Sequence, residues 1–263
     1  MPVDVLNGLM SDLTDSAVPR LPPPGEISGF GVRLRLWRAG DEAALLRGLS
    51  DAEFQRWNTP LVRVRTEEGA AELVRRRREG WERAEMAQFC VVADGDGSGS
   101  GGGGGAYGPG GGPYGPDGAI LGSVGLGMLD LRQRSGRVGY WVLPEARGHG
   151  VARRALEVCT RWAFEQAGLH RIELGHAIGH DASCRIAERC GYRYEGTQRD
   201  AMFQEGRLDL FRDVHMHARI ATDPAPDPTV TATRAGQGET GQSETGQGQS
   251  SSFSHRSGSS SRR

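Results

Sequence analysis

The sequence predicts a mixed α/β domain, a sheet with helices on both faces. Two observations carry this. Short runs of alternating apolar and polar residues, joined by turn residues, recur at 30–37, 86–93, 119–131 and 137–143, the pattern of antiparallel strands. From 137 to 178 the order changes to strand, glycine-bearing turn, amphipathic helix and strand, a crossover that returns a parallel neighbour. Hairpins and a crossover in one chain need a mixed sheet whose faces are covered by helices.

Each element has its own local reason. Residues 30–37 set Val32, Leu34 and Leu36 against Arg33 and Arg35, an edge-tolerant strand. Residues 41–49 read as a helix, and 50–60 as an irregular segment carrying Phe54, Trp57 and Asn58. Thr66 caps the next helix, with Glu67 and Glu68 in its first turn, and that helix runs to about Arg83. Residues 86–93 and 119–131 form a hairpin across a Gly-rich loop, with Gly122, Gly125 and Gly127 thinning one face of the second strand. The chain turns at 132–136 and returns as the strand 137–143. A helix over 145–167 places Val151, Ala155, Val158, Cys159, Trp162 and Ala163 on one stripe, and Gly168 ends it. A strand at 171–178, a short helix at 182–189 ended by Gly191, and strands at 192–197 and 208–220 complete the domain.

Composition separates this core from its surroundings. The chain has 263 residues, of which 41 are Gly and only 6% aromatic, so apolar residues are concentrated in part of it. Residues 1–26 are Pro-rich with few apolar anchors, 94–118 are almost wholly Gly, Ser, Pro and Asp, and 221–263 are Pro, Thr, Gly, Gln and Ser. Such segments bury too little to offset ordering entropy and are predicted to be disordered. The remainder, 27–220 without the insert, suffices for one domain. Tyr107 and Tyr114 in the insert are read as mobile decoration.

A formal net charge of −1 argues against nucleic acid as a partner. The run Arg75 to Arg78 is interleaved with Glu67, Glu68, Glu72 and Glu79 and reads as a solvated helix face. No long apolar run or secretion-type leader is evident, so a cytoplasmic protein with no membrane partner is expected. Cys90, Cys159, Cys184 and Cys190 lack C-x-x-C spacing; Cys90 and Cys159 are expected as core thiols, and a Cys184–Cys190 bridge is not expected in that compartment.

The segment 137–167, RVGYWVLPEARGHGVARRALEVCTRWAFEQA, concentrates the chemistry. A turn carrying Arg147, Gly148, Gly150 and Ala152 opens a helix whose first N–H groups lack intrahelical acceptors, which makes an anion site. Arg147 would add a bidentate contact. It is neither GxGxxG nor a P-loop. The same glycines also suit a close strand-to-helix turn with no ligand.

Three stretches, GYWVLPEARGHGVARRAL (139–156), AGLHRIELGHAIGHDASCRIAERCGYRYEGTQRD (167–200) and the strand around 213–216, resemble the GNAT superfamily of N-acetyltransferases, in particular its ribosomal-protein N-terminal acetyltransferase branch. Arg56, Trp57 and Asn58 agree more weakly. The resemblance spans roughly 31–220 apart from the insert. It implies a central, mostly antiparallel sheet with a splayed strand pair, and transfer of acetyl from acetyl-CoA to a primary amine in a ternary complex. Tyr140, Trp141, Val142 and Leu143 would line the cofactor gap, and Arg147, Gly148, His149, Gly150, Val151 and Ala152 would wrap the pyrophosphate. A backbone N–H near Val142 would donate to the thioester carbonyl oxygen, with proximity supplying much of the rate.

The chain departs from the family at His180, where Asn is usual. His180 is read as a cofactor or helix-cap contact, with proton transfer at the amine as the alternative. Ser183, by its match in the family, would contact the departing thiol. Glu173 reads equally as a proton relay or a surface ion pair, and Tyr140 and Tyr192 as core residues. His176 and His180 have i,i+4 spacing, but His176 sits on a strand-like segment, so no metal is expected. His215 and His217 share one face of the last strand as cleft or surface residues. Trp57, Asn58, Phe203 and Asp209 are the expected acceptor contacts, with Asp200 and Glu205 as further ammonium partners. The acceptor itself stays open: a protein N-terminus, ribosomal or other, a small amine such as a polyamine, amino acid or aminoglycoside-like compound, or none, in a regulatory acyl-CoA-binding module. A monomer or a homodimer fits equally.

Overall fold

A computed structural model describes residues 20–58, 63–94, 118–204 and 207–226. Tyr107, Tyr114, Pro60, Glu205 and most of the three segments expected to be disordered lie outside the described residues. The boundary expected at residue 27 is too late. Leu21 is buried in the core, and Trp81 Nε1 donates to the Pro22 carbonyl at 3.2 Å. A single apolar anchor beside prolines does not register as an apolar period, yet it is enough to seat the chain against the core.

The strands are β1 (Ile27–Gly29), β2 (Val32–Leu36), β3 (Ala87–Ala93), β4 (Ile120–Asp130), β5 (Ser135–Val142), β6 (Arg171–Ala177), β7 (Arg193–Gln204) and β8 (Arg207–Ile220). They form one sheet in the order β1-β2-β3-β4-β5-β6-β8-β7. Every neighbouring pair is antiparallel except β5–β6. The helices are α1 (Glu42–Ser50), α2 (Ala52–Trp57), α3 (Glu67–Glu82), α4 (Val151–Glu165) and α5 (Asp181–Arg189), with a 3-10 turn at Pro144–Ala146.

Alternation along the strands divides the core between the two faces. Phe89 and Val91 of β3 pack into the larger cluster, with Leu156 and Trp162 of α4, while Cys90 and Val92 join Trp37, Leu45 of α1 and Val74 of α3. All four cysteines are free thiols. On α3, Thr66 Oγ1 accepts from Gly69 N–H at 3.1 Å as its cap, and Arg75 and Arg76 pair with Glu72 and Glu79. Arg77 departs from the expected solvated face. Its guanidinium lies 5.3 Å over the Trp37 ring, and burial pushes its pKa down to about 10.

Several expected boundaries move, each for a local reason. The first strand is a hairpin, because Phe30 (φ 52°) and Gly31 (φ 72°) are both left-handed, the geometry of a two-residue turn. With β1 outside it, β2 is not an edge strand; Arg35 is buried and forms a two-pronged ion pair with Asp41 at 2.6 and 2.9 Å, tying β2 to the start of α1. The segment at 50–60 contains α2, nucleated by Asp51, whose carboxylate accepts from Phe54 N–H. The helix expected from 145 starts at Val151, after a 3-10 turn begun by Pro144. β7 runs on to Gln204 because β8 supplies a long partner.

The feature that creates a site is a split in the sheet. β5 and β6 pair only at Ser135–Arg171, Gly136–Ile172 and Arg137–Glu173. Beyond Arg137, β5 continues against β4 and β6 against β8, so a gap opens between them.

Candidate active site

At the open end of the gap the chain passes through residues 147–150 into α4. Gly148 (φ 79°) and Gly150 (φ 70°) are left-handed, and Gly150 is the residue before the first helical turn. A Cβ at either would meet nothing within 4 Å, so the backbone conformation is what requires glycine there. Arg154 N–H is the one that closes onto Gly150 O, at 3.1 Å. The N–H groups of Val151, Ala152 and Arg153 therefore have no acceptor within the helix. A cleft of ≈ 520 Å³ lies against them, lined among others by Tyr140, Trp141, Val142, Arg147, Gly150 and Ala152. That volume is of the size that holds a large ligand.

Arg147 has a different occupation from the one expected. Its guanidinium pairs with the Asp51 carboxylate at the start of α2, and its Nε donates to Val142 O at 3.1 Å. It braces the cleft wall from within. Burial works against the Asp51 carboxylate, but the Arg147 hydrogen bond and the backbone N–H of Phe54 outweigh it and hold its pKa below the ordinary value.

Val142 itself faces the gap. Leu143 N–H donates to Leu121 O at 2.9 Å, so the next pair, Val142 with Gly122, is one whose backbone groups turn away from β4. The Val142 N–H therefore points into the opening. Leu143, expected beside a ligand, is a core residue at 1% exposure, whereas Val151 borders the cleft through its backbone while its side chain is buried at 3%. Trp141 points to the opposite face from Tyr140, packing against Trp37 and Phe54. His149 is exposed on the turn.

Across the gap, Tyr140 and Ser183 meet. Their hydroxyl oxygens are 2.8 Å apart, Ser183 is buried in the first turn of α5, and burial pushes the Tyr140 phenol well above its ordinary pKa, so it stays protonated. Tyr192, by contrast, is a core residue bonded to Thr160 at 2.6 Å.

His180 precedes α5 but makes no side-chain cap bond. Its ring stacks on Trp57, centroids 4.6 Å apart and planes 5° from parallel. Burial lowers its pKa. Trp57 is held in turn by Glu53, which accepts from its Nε1 at 2.6 Å. This stack stands between the large cleft and a second, small hollow bordered by Trp57, Asn58, Tyr140, His176, Ser183 and Met202.

Three expected site residues are not brought there. Glu173 is ion-paired with Arg137 at 3.3 Å and Arg171 at 3.2 Å, at the closed end of the gap. Phe203 packs on Phe211 along the β7–β8 hairpin, and Asp209 is an exposed partner of Arg207. Met202, one residue from Phe203, is the one that borders the hollow. A one-residue shift reverses the facing of a strand side chain, and residue type alone does not reveal it.

The cleft and the split sheet together define an acetyltransferase fold of the kind that opens a sheet around its ligand. The acetyltransferase (GNAT) domain family matches residues 32–193, and the chain belongs to that family. A putative ribosomal N-acetyltransferase of Bacillus subtilis (strain 168) is 33% identical over 88 residues, 34% of this chain and 48% of its own length. A ribosomal-protein-serine acetyltransferase of Escherichia coli (strain K12) is 24% identical over 101 residues, 38% of this chain and 55% of its own. The chain spans about half the length of the curated relatives it matches. Mycobacterium smegmatis RimJ in complex with CoA-disulfide shares the fold with a TM-score of 0.60 at 21% identity, covering 75% of this chain and 87% of that one.

Proposed function

We propose that this protein transfers the acetyl group of acetyl-CoA to the α-amine of a protein N-terminus, by direct attack in a ternary complex. The observation that carries the reading is the passage through the split sheet: a phosphate-sized set of free N–H groups at one end, an amine-sized hollow at the other, and Tyr140 and Ser183 between them. The donor set fits acetyl-CoA, since its phosphates match the N–H groups of Val151, Ala152 and Arg153. Bound acetyl-CoA supplies the acetyl group as a thioester. Val142 N–H donates at the carbonyl oxygen. The amine nitrogen forms the new bond to the carbonyl carbon as the carbon–sulfur bond breaks. The amine proton leaves to water, CoA departs as the thiolate, and the Ser183–Tyr140 hydroxyl pair donates a hydrogen bond to the departing sulfur. Arg147 positions this apparatus by fixing Val142 O.

An N-terminal peptide suits the acceptor side better than a small polycation. The hollow is bordered by Trp57, Met202 and uncharged polar groups, with no carboxylate among its lining residues, and Asp209 is engaged by Arg207 elsewhere. A compact acidic pocket, the feature that would select a polyamine, is absent from the described residues around it. The test is to incubate the full chain with acetyl-CoA and either peptides with free N-termini or small amines, reading CoA release and product mass. Acetylation confined to peptide α-amines is expected. Turnover of small amines alone would overturn the acceptor class, and CoA binding without turnover of any amine would leave a binding module in place of an enzyme.

A further inference from the structure

Behind Ser183, on the side of α5 away from the cleft, three histidines and a cysteine converge. His176 and His215 are directly opposed on β6 and β8, and His217 lies two residues along on the same face. Cys184 of α5 covers them. His176 Nε2 is 3.2 Å from His217 Nε2, and Cys184 Sγ is 3.7 Å from the same His217 atom. Ligand atoms of His176, Cys184 and His215 lie within 4.8 Å of one another.

The hydrogen bonding of the two innermost rings poses a problem that a cation solves. His176 Nδ1 faces the Ala177 carbonyl at 3.1 Å, and His217 Nδ1 faces the Tyr192 carbonyl at 3.3 Å. A carbonyl only accepts; in the tautomer in which both Nδ1–H groups donate to these carbonyls, both Nε2 atoms present lone pairs. Two lone pairs then oppose each other at 3.2 Å in a site where His176 is 5% and His217 0% exposed. Nδ1 donating to a backbone carbonyl while Nε2 points inward is also how metal-bound histidines are held.

We propose that His176, Cys184, His215 and His217 form a tetrahedral site for a zinc-like divalent cation that clamps α5 onto β6 and β8. Zn²⁺ bound to three nitrogens and one sulfur keeps its ligands about 3.3–3.6 Å apart, and the two shortest separations are already close to that range. His215 and Cys184, both half-exposed, close the remainder by side-chain rotation. The thiol gives up its proton to water on coordination. With four protein ligands the site is a closed, structural one, and its effect is to fix the helix turn that carries Ser183. The site does not depend on the acetyl-transfer reading. The i,i+4 pair His176–His180 is not its basis, since the His180 ring turns to Trp57.

The experiment uses the full chain, free of any affinity tag, stripped with chelator and titrated with Co²⁺ and then Zn²⁺. One equivalent of Co²⁺ should give a thiolate-to-cobalt charge-transfer band and strong tetrahedral visible bands, and one equivalent of Zn²⁺ should bleach both. Cys184→Ser should abolish the charge-transfer band, and Cys184→Ser and His215→Ala should each weaken Zn²⁺ binding at least about tenfold. Because both residues are half-exposed, these variants keep the fold even where His217→Ala does not. Absence of a stoichiometric cobalt spectrum, or zinc affinity unchanged in both variants, would overturn the proposal, and neither reading depends on acetyl transfer.

Discussion

At the scale of single residues, the Arg147–Asp51 pair changes what a substitution means. An arginine serving only to meet phosphate would be indifferent to Asp51, whereas a brace depends on it. Arg147→Ala and Asp51→Asn should each lower CoA affinity about tenfold, in line with loss of a hydrogen bond to a charged group worth about 1.5–3 kcal/mol. The double variant should be little worse than Arg147→Ala alone, because Asp51→Asn removes a contact that Arg147→Ala has already lost. Calorimetric titration of the three proteins checks this; tighter CoA binding by Asp51→Asn would mean that Arg147 is a phosphate ligand after all. Gly150→Val should also weaken CoA at least about tenfold, through a φ of 70° that a β-branched residue does not adopt without strain. The turn glycines were legible in the sequence because their conformational demand is local. The Arg147–Asp51 contact was not, since its partners are 96 positions apart.

His180 belongs to the same scale. Its ring is neutral at pH 7, and its contact is the Trp57 face. His180→Asn should therefore shift the Michaelis constants, through loss of the stack, while leaving the pH profile of kcat without a vanished ionisation near pH 6–7. Steady-state rates from pH 5.5 to 9 decide it. A collapse of kcat together with loss of an acidic limb would make His180 the group that handles the amine proton. The family resemblance marked this position as unusual and offered a cofactor or helix-cap contact as its role; of the two, the side chain makes no cap bond.

Elements show a second kind of legibility. Periodicity placed β3, β4, β6, α3 and α4, because each has one face fixed by burial. It missed α2, too short for a period, and began α4 too early, because a 3-10 turn at Pro144–Ala146 precedes the helix and Pro144 suits a first helical position. The packing of α1 yields a prediction that propensity alone gets wrong. Gly48 lies mid-helix, where alanine normally gains about 0.5–1 kcal/mol. A Cβ there would sit 2.1 Å from the Trp141 ring, which is itself wedged against Trp37 and Phe54. Overpacking typically costs about 1–3 kcal/mol, so steric cost wins and Gly48→Ala should lower the denaturation midpoint. An unchanged or higher midpoint would show that Trp141 is free to move aside, and with it the cleft wall it forms.

For the whole molecule, the mixed sheet was readable because antiparallel hairpins and a strand–helix–strand crossover in one chain require one, but the placement of β8 between β6 and β7 was not. The split was not readable from periodicity, since β5 and β6 are ordinary strands that part only because each finds a better neighbour after Arg137; family resemblance supplied that expectation. The Gly-rich insert tests how far the folded unit stands without it. β3 and β4 pair directly where it departs: Val92 is opposite Ile120, and Ala93 N–H donates to Ala119 O at 2.9 Å. A hairpin closed that tightly holds its register through its own ladder, whatever the length of chain between its ends. We therefore propose that 95–117 and the chain beyond 226 are dispensable for folding. Replacing 95–117 by a five-residue Gly/Ser linker should leave CoA affinity unchanged and raise unfolding free energy by about 1 kcal/mol, the closure entropy returned by a shorter loop. Chemical denaturation of this variant against the full chain reads both the midpoint and the cooperativity. A broadened or lowered transition would mean that the insert packs on the domain and that its tyrosines hold part of the fold in place.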